Sequence, residues 1–236
     1  MIAILFSNWW ELEESKNCLK LYHGGNRDEL EFMRGKLHGK EVILGRTGIG
    51  INRARKGTNF IIQRFKPELI ISAGHGGALS PELRVGDIVI GEWVMSTKKN
   101  QRKLLFKNIP GALGGFRRGG IVTENRFVYA SSDKRRLYEQ SGALSVDMET
   151  WGIVESTEKS NVQIISLRSI SDEYCDEVPN LGYIYDKRGI LRKGRALNYF
   201  LSNPSHLYTY AKLVLFNFKK ASHSLNSFLK ELLIYI

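Results

Sequence analysis

At 236 residues, 42% of them hydrophobic, the chain suits one large domain or a compact domain with an appendage, and it can bury a sizeable core. It carries 35 Lys+Arg against 24 Asp+Glu, a net charge of +11 that draws phosphates, nucleic acid or acidic lipid without choosing among them. Its two cysteines, Cys18 and Cys175, have no C-x-x-C spacing, which argues against a disulfide framework or a zinc site and for a reducing, cytoplasmic setting.

Residues 2–6, IAILF, are an unbroken apolar run, too short for a signal peptide or membrane span and suited to a central strand. Polar Ser7 and Asn8 follow, then a helix from Glu11 to Leu19. DELEFMRG and GKEVILGRTGIG read as two strands joined near His38 and Gly39. NRARKGTNFIIQRF sets Ala54, Phe60, Ile61 and Phe65 at helical spacing and must stop before Pro67. PELIISAGHGGAL reads as a buried strand entering a glycine-rich turn, and VGDIVIGEWV as another strand. Ser96 to Gly120, basic and glycine-rich, reads as a long loop before GGIVTENRFV returns to a strand. SDKRRLYEQSG reads as a short helix, with Asp133 near its start and Gly142 past its end. ALSVDMETWGIVESTEKSN runs from strand to helix, and VQIISLRSISDE is a further strand. Strands buried on both faces and alternating with helices define an α/β sandwich, whose ligands bind at the carboxyl ends of strands.

Polar groups collect at those ends: Glu11 after the first strand, His75 in AGHGGAL, Asp147, Met148 and Glu149 after ALSV, and Arg168, Ser171 and Asp172 in SLRSISDE. Taken singly, each has a plainer reading. Glu149 suits the first turn of a helix, Asp172 a turn, and Arg168 a structural ion pair. Acids at three strand ends together favour a site.

Four blocks in order carry a resemblance. RTGIG, PELIISAGHGGALSPELRVGDIVIGE, SVDMETWGIV and LRSISDE are similar to the signature segments of the nucleoside phosphorylase and nucleosidase superfamily, over nearly the whole chain. The resemblance implies a three-layer α/β/α sandwich with a central mixed, partly barrel-like sheet. It implies cleavage of the N-glycosidic bond of a purine nucleoside, an adenosine derivative, releasing adenine. Met148 would pack on the ribose and Glu149 would accept from its hydroxyls. Asp172, with Ser171, would serve as the acid at N7, Glu11 would orient the attacking water, and Phe127 and Val128 would stack on the base. Gly74, His75 and Arg168 would join the substrate site. This chemistry asks for a carboxylic acid in a dry pocket to protonate the leaving base.

Hexameric purine phosphorylases place an arginine where this chain has Ser72. Arg46 and Arg53, flanking the turn that holds Gly48, are the replacement candidates for phosphate, the one co-substrate expected; no cofactor or metal is expected. The tail, with GILRKGRAL and NPSHLYTYAKL, is similar to the hopanoid-associated phosphorylase branch, which implies an adenosylhopane-like substrate. The expected organisation is a catalytic domain over 1–203 and an amphipathic helical extension over 204–236. That helix would touch the inner face of a membrane peripherally, or pack on the core or on a sister subunit of a homo-oligomer. Competing readings are a methylthioadenosine/adenosylhomocysteine-type nucleosidase or futalosine hydrolase, and a non-catalytic basic protein binding nucleic acid or membrane. The basic stretch Lys98 to Lys107 with Arg117 and Arg118 has no aromatic-interleaved RNA motif, so nucleic acid is disfavoured.

Overall fold

The computed structural model describes residues 1–12, 20–27, 30–37, 39–105, 113–158, 160–186 and 190–236. The helix expected over 11–19 falls largely outside them; its first residues, Glu11 and Leu12, end a 3-10 turn over Trp9–Leu12.

Strand β1 (Ile2–Phe6) is buried along its full length and pairs in parallel with β4 (Lys40–Arg46) and β5 (Leu69–Ala78). Its alternating side chains feed two different layers. Ile2, Ile4 and Phe6 face a cluster that includes Leu225, Phe228, Leu229, Leu232 and Leu233; Ala3 and Leu5 face one that includes Ile51, Ala54, Ile61, Trp151, Ile153 and Val154. A strand with both faces covered must be apolar at every position, which is why this run lacks alternation. Helices on both faces make the three-layer sandwich.

Beyond β4 the sheet continues through β3 (Leu30–Leu37) and β2 (Lys20–Arg27) by antiparallel pairing. On the other side it closes on itself. β5 pairs with β9 (Ser145–Asp147), β9 with β8 (Phe116–Thr123), β8 with β6 (Ile88–Ser96), β6 with β10 (Gln163–Asp172), and β10 returns to β5. These five strands form a mixed, closed barrel-like ring, and β5 belongs both to it and to the open half.

Helix α1 (Ile51–Phe65) ends as its pattern requires: Lys66 adopts a left-handed conformation with φ 48° and donates to Ile62, and Pro67 bars continuation. Helix α2 (Ser131–Ser141) stops at Gly142, whose φ of 66° suits a residue without Cβ. Helix α3 is Thr150–Thr157 and the short α4 is Leu181–Ile184.

Two expectations are corrected. The glycines of AGHGGAL do not turn the chain; β5 runs through them to Ala78. Nor is Ser96 to Gly120 a continuous loop. Strand β7 (Gln101–Leu104) folds back on β6, and β8 begins at Phe116. Pairing with a partner strand outweighs the weak β-propensity of lysine, arginine and glycine.

The tail holds α5 (Lys193–Ser202), then α6 (Ser205–Lys212), a π-helical turn over Leu213–Asn217 and α7 (Phe218–Tyr235). Leu225, Phe228, Leu229, Leu232 and Leu233 of α7 recur at helical spacing and lie in the core against the sheet. Leu197, Leu201, Leu207, Tyr208, Leu215 and Phe216, nearer the start of the tail, are exposed. No helix among the described residues is long and apolar enough to cross a membrane.

Candidate active site

A cavity of about 650 Å³ opens where the ring meets the open half of the sheet. Glu11, His75, Phe127, Val128, Met148, Glu149, Ser171 and Asp172 line it, so most of the residues singled out from the sequence converge. Gly74, Arg46, Gly48, Arg53 and Arg168 do not line it, although Ile49 of the same glycine turn does.

Glu11 is buried and fixed by four donors. Oε2 accepts from the Ser7 amide (2.9 Å), the Ser7 hydroxyl (3.0 Å) and the Asn8 amide (3.0 Å); Oε1 accepts from the His75 amide (3.1 Å). Gly74 lies directly beneath it: a Cβ there would stand 2.9 Å from Oε1. The next two glycines serve the same purpose. A Cβ on Gly76 would press on Arg168 and the Val146 carbonyl, both at 3.2 Å, and one on Gly77 would stand 3.0 Å from Asp172 Oδ2. The glycines of β5 therefore make room for Glu11, Arg168 and Asp172 from neighbouring elements.

His75 stacks on Phe218 at 5.3 Å, and its Nε2 lies 3.0 Å from the Ser222 hydroxyl. Burial holds its pKa below the usual histidine value, against the raising pull of Glu11 and Asp172. The ring is thus neutral at neutral pH.

Asp147 accounts for the first acid of the VDME stretch. Thr123 Oγ1 donates to its Oδ1 (2.6 Å); the Thr150 amide (2.9 Å), Thr150 hydroxyl (2.5 Å) and Arg168 Nε (2.9 Å) donate to Oδ2, which Arg168 Nη2 also contacts. Arg168, expected at the substrate, spends its remaining donors on Ser72 O and Oγ (3.0 Å each), Leu167 O (2.6 Å) and Thr150 Oγ1 (2.7 Å). Asp147 and Arg168 thus neutralise each other and tie β9, α3, β5 and β10 together at the wall of the cavity, which Asp147 also lines.

Glu149, two residues on, faces the cavity. Its Oε1 accepts from the Gly50 amide at 2.8 Å, at the end of the glycine turn. Burial first, and the Asp147 charge second, push its pKa up to about 8. The carboxyl is therefore largely protonated at neutral pH.

Asp172 ends β10 beside a β-bulge: Ile170 and Asp172 pair with consecutive residues Gly76 and Gly77, leaving Ser171 extra. Ser171 Oγ donates to Oδ1 at 2.7 Å. The Lys134 ammonium lies 2.5 Å from Oδ2. Arg46 pairs with Glu31, and Arg53 sits in the first turn of α1.

Several lining residues were not legible in the sequence. Trp10, Tyr185 and Phe218 cluster, with Trp10 5.8 Å from Tyr185 and 6.1 Å from Phe218. Asn125 and Asn180 add amides, and Tyr183 and Asp186 add further wall. These come from loops and from distant helices, and no local pattern announces them.

A closed mixed ring flanked by helices, with buried carboxylates gathered in one cavity at its strand ends, defines an α/β enzyme of the nucleoside phosphorylase and nucleosidase kind. The chain belongs to the phosphorylase superfamily, whose family model matches residues 1–116 and 114–184. It is 28% identical to the 5'-methylthioadenosine/S-adenosylhomocysteine nucleosidase of Staphylococcus epidermidis, over 73% of this chain and 86% of the relative. It is 30% identical to the enzyme of the same name from Staphylococcus haemolyticus, over 61% of this chain and 73% of the relative. Among solved structures it is similar to the Neisseria meningitidis 5'-methylthioadenosine/S-adenosylhomocysteine nucleosidase in complex with methylthio-immucillin-A. The TM-score is 0.74 and the identity 18%, covering 100% of this chain and 99% of the other. Futalosine hydrolase of Helicobacter pylori matches with a TM-score of 0.70 at 18% identity, covering 100% and 97%. At these identities the likeness to the solved structures is one of fold.

Proposed function

We propose that this enzyme hydrolyses the N-glycosidic bond of an adenine nucleoside carrying an apolar 5′ substituent. One observation carries the reading: a fixed carboxylate, Glu11, and a buried acid, Asp172, line the same cavity with the Met148–Glu149 pair. The names of the curated relatives support the same chemistry.

Met148 packs on the sugar, and Glu149 accepts from the ribose hydroxyls. Phe127 and Val128 flank the base, which Asp172 protonates at N7 as the C1′–N9 bond breaks. Glu11, its oxygens held by Ser7, Asn8 and His75, directs a water at C1′ and takes the proton it sheds. The electron pair of the broken bond leaves with adenine, and the water oxygen becomes the anomeric hydroxyl. Carboxylates near C1′ favour the positive charge that develops there. Trp10, Tyr185 and Phe218 give the 5′ side an aromatic wall suited to an apolar group. Water is favoured over phosphate because Arg46 is taken up by Glu31 and, among the described residues, Arg126 is the one arginine that lines the cavity.

A lipid-like 5′ substituent of the adenosylhopane type is a second reading. The exposed Leu197, Leu201, Leu207, Tyr208, Leu215 and Phe216, with lysines beside them, favour it as a surface for a bilayer.

The test is release of free adenine from 5′-methylthioadenosine, with and without phosphate. The expected result is equal release in both, with unphosphorylated sugar as the other product. Release that requires phosphate would replace water by phosphate as the acceptor, and no release from any adenine nucleoside would overturn the reading.

A further inference from the structure

Helix α2, SSDKRRLYEQS, has the composition of a solvated helix, and Arg135 and Arg136 are exposed as expected. Lys134 is not. It has no accessible surface, and its Nζ lies 2.5 Å from Asp172 Oδ2, where it also donates to the main-chain carbonyls of Glu173 (2.7 Å) and Asp176 (3.2 Å). Two carbonyls and one carboxylate thus fix the ammonium against the residue that ends β10. Burying an ion pair contributes little to stability by itself, and a helix with so many solvent-facing positions had no need to turn a lysine inward. On the far side, Ser171 occupies Oδ1, while Oδ2 accepts no aligned hydrogen bond among the described residues; Asp172 itself lines the cavity.

We propose that Lys134 and Asp172 work as one acid, the lysine supplying through the aspartate the proton that the departing base takes up. This rests on the reading of the cavity as an adenine-nucleoside site. An ammonium–carboxylate pair keeps its transferable proton on nitrogen. As C1′–N9 breaks, its electrons move onto the purine and N7 becomes the stronger base. A carboxyl O–H bond on Asp172 then forms as Nζ–H breaks, and N7–H forms as that O–H bond breaks. The lysine is left as a neutral amine and Asp172 again as a carboxylate. Water restores the proton to Nζ once adenine has left. The intermediate arrangement, an amine beside a carboxylic acid, replaces two buried charges by none, which a dry site favours. Lys134 touches no substrate atom; it is a positioning residue that acts through Asp172.

The test compares Lys134→Met, Lys134→Arg, Asp172→Asn and the double variant Lys134→Met/Asp172→Asn on 5′-methylthioadenosine. The arginine keeps the charge but cannot give up its proton. The expected result is a kcat lowered roughly 10²-fold or more in each single variant with KM within about threefold, and a double variant no slower than Asp172→Asn, since members of one unit are not additive. If Lys134→Met does not fold, Lys134→Arg and the double variant, from which both charges are removed together, carry the comparison. Turnover near wild type in Lys134→Met or Lys134→Arg, with Asp172→Asn inactive, would overturn the lysine's part alone. So would a double variant slowed by the product of the single losses. Full turnover in Asp172→Asn would instead overturn the reading of the site itself.

Discussion

Asn226, near the middle of the last helix, donates from Nδ2 to the main-chain carbonyl of Glu11 at 3.0 Å. One turn earlier Ser222 donates to the carbonyl of Trp10 and meets the His75 ring. The last helix therefore holds the segment after β1, and with it the carboxylate proposed to direct the water. Truncation after Asn203 should give an aggregated or unfolded protein, because it strips Leu225, Phe228, Leu229 and Leu232 from the core, each worth about 1.5–3 kcal/mol of burial. Asn226→Ala is the finer probe. It should cost about 1–3 kcal/mol of stability and lower kcat with little change in KM. A folded, fully active truncated protein, seen by melting curve and adenine release, would contradict this.

The Asp147–Arg168 pair should behave as a support in the wall of the site. Arg168→Met leaves the Asp147 carboxylate buried without its counter-charge, and should destabilise by roughly 3–5 kcal/mol in denaturant melts. Replacing both, as Asp147→Asn with Arg168→Met, should recover part of that loss. If Arg168→Met were as stable as wild type and impaired only in KM, the guanidinium would belong to the substrate after all.

Glu149 sets a pH dependence whose sign follows from its raised pKa. In the unfolded chain the group titrates near the ordinary glutamate value; in the fold it titrates at about 8. Between those values the folded state holds a proton the unfolded state has lost. Its stabilisation is therefore full below the unfolded value and is lost as pH rises to about 8. Glu149→Gln should flatten thermal stability across that window. Binding runs the other way: the ionised carboxylate is the better acceptor for ribose hydroxyls, so kcat/KM should rise through pH 8 and the glutamine variant should lack that limb. Calorimetry should show Glu149→Gln weakening nucleosides by roughly 1.5–3 kcal/mol and free adenine far less. Equal loss for both ligands would move Glu149 away from the sugar.

The lipid reading predicts that the intact protein co-sediments with anionic vesicles at low salt and is released as salt rises. Lysines near an anionic surface add about 1 kcal/mol each and are screened by salt. Leu201→Asp with Phe216→Asp should abolish sedimentation yet leave adenine release from 5′-methylthioadenosine intact, because neither residue lines the cavity. Intact protein that stays in the supernatant would remove the membrane role and leave the nucleoside chemistry untouched.

By itself the sequence determined those parts whose cause is local. The apolar run of β1 requires burial on both faces, Pro67 ends α1, and Gly142 ends α2. The VDMET and SISDE stretches place Glu149 and Asp172 at element ends, where they do line one cavity. What only the tertiary structure decided depends on partners distant in the chain. The glycines of AGHGG look like a turn; they are strand because Glu11, Arg168 with Val146, and Asp172 each come within about 3 Å of where a Cβ would stand. A basic stretch becomes β7 because β6 offers it hydrogen bonds. Asp147, Glu149 and Arg168 look interchangeable as buried charges, and geometry alone pairs the first with the third and sets Glu149 against the Gly50 amide. Helix α2 carries Lys134 three residues before the buried Leu137, on the same face, so its inward turn is local; its partner, Asp172 from β10, is not. A pairing of that kind is a property of two elements meeting, and no periodicity within either one encodes it.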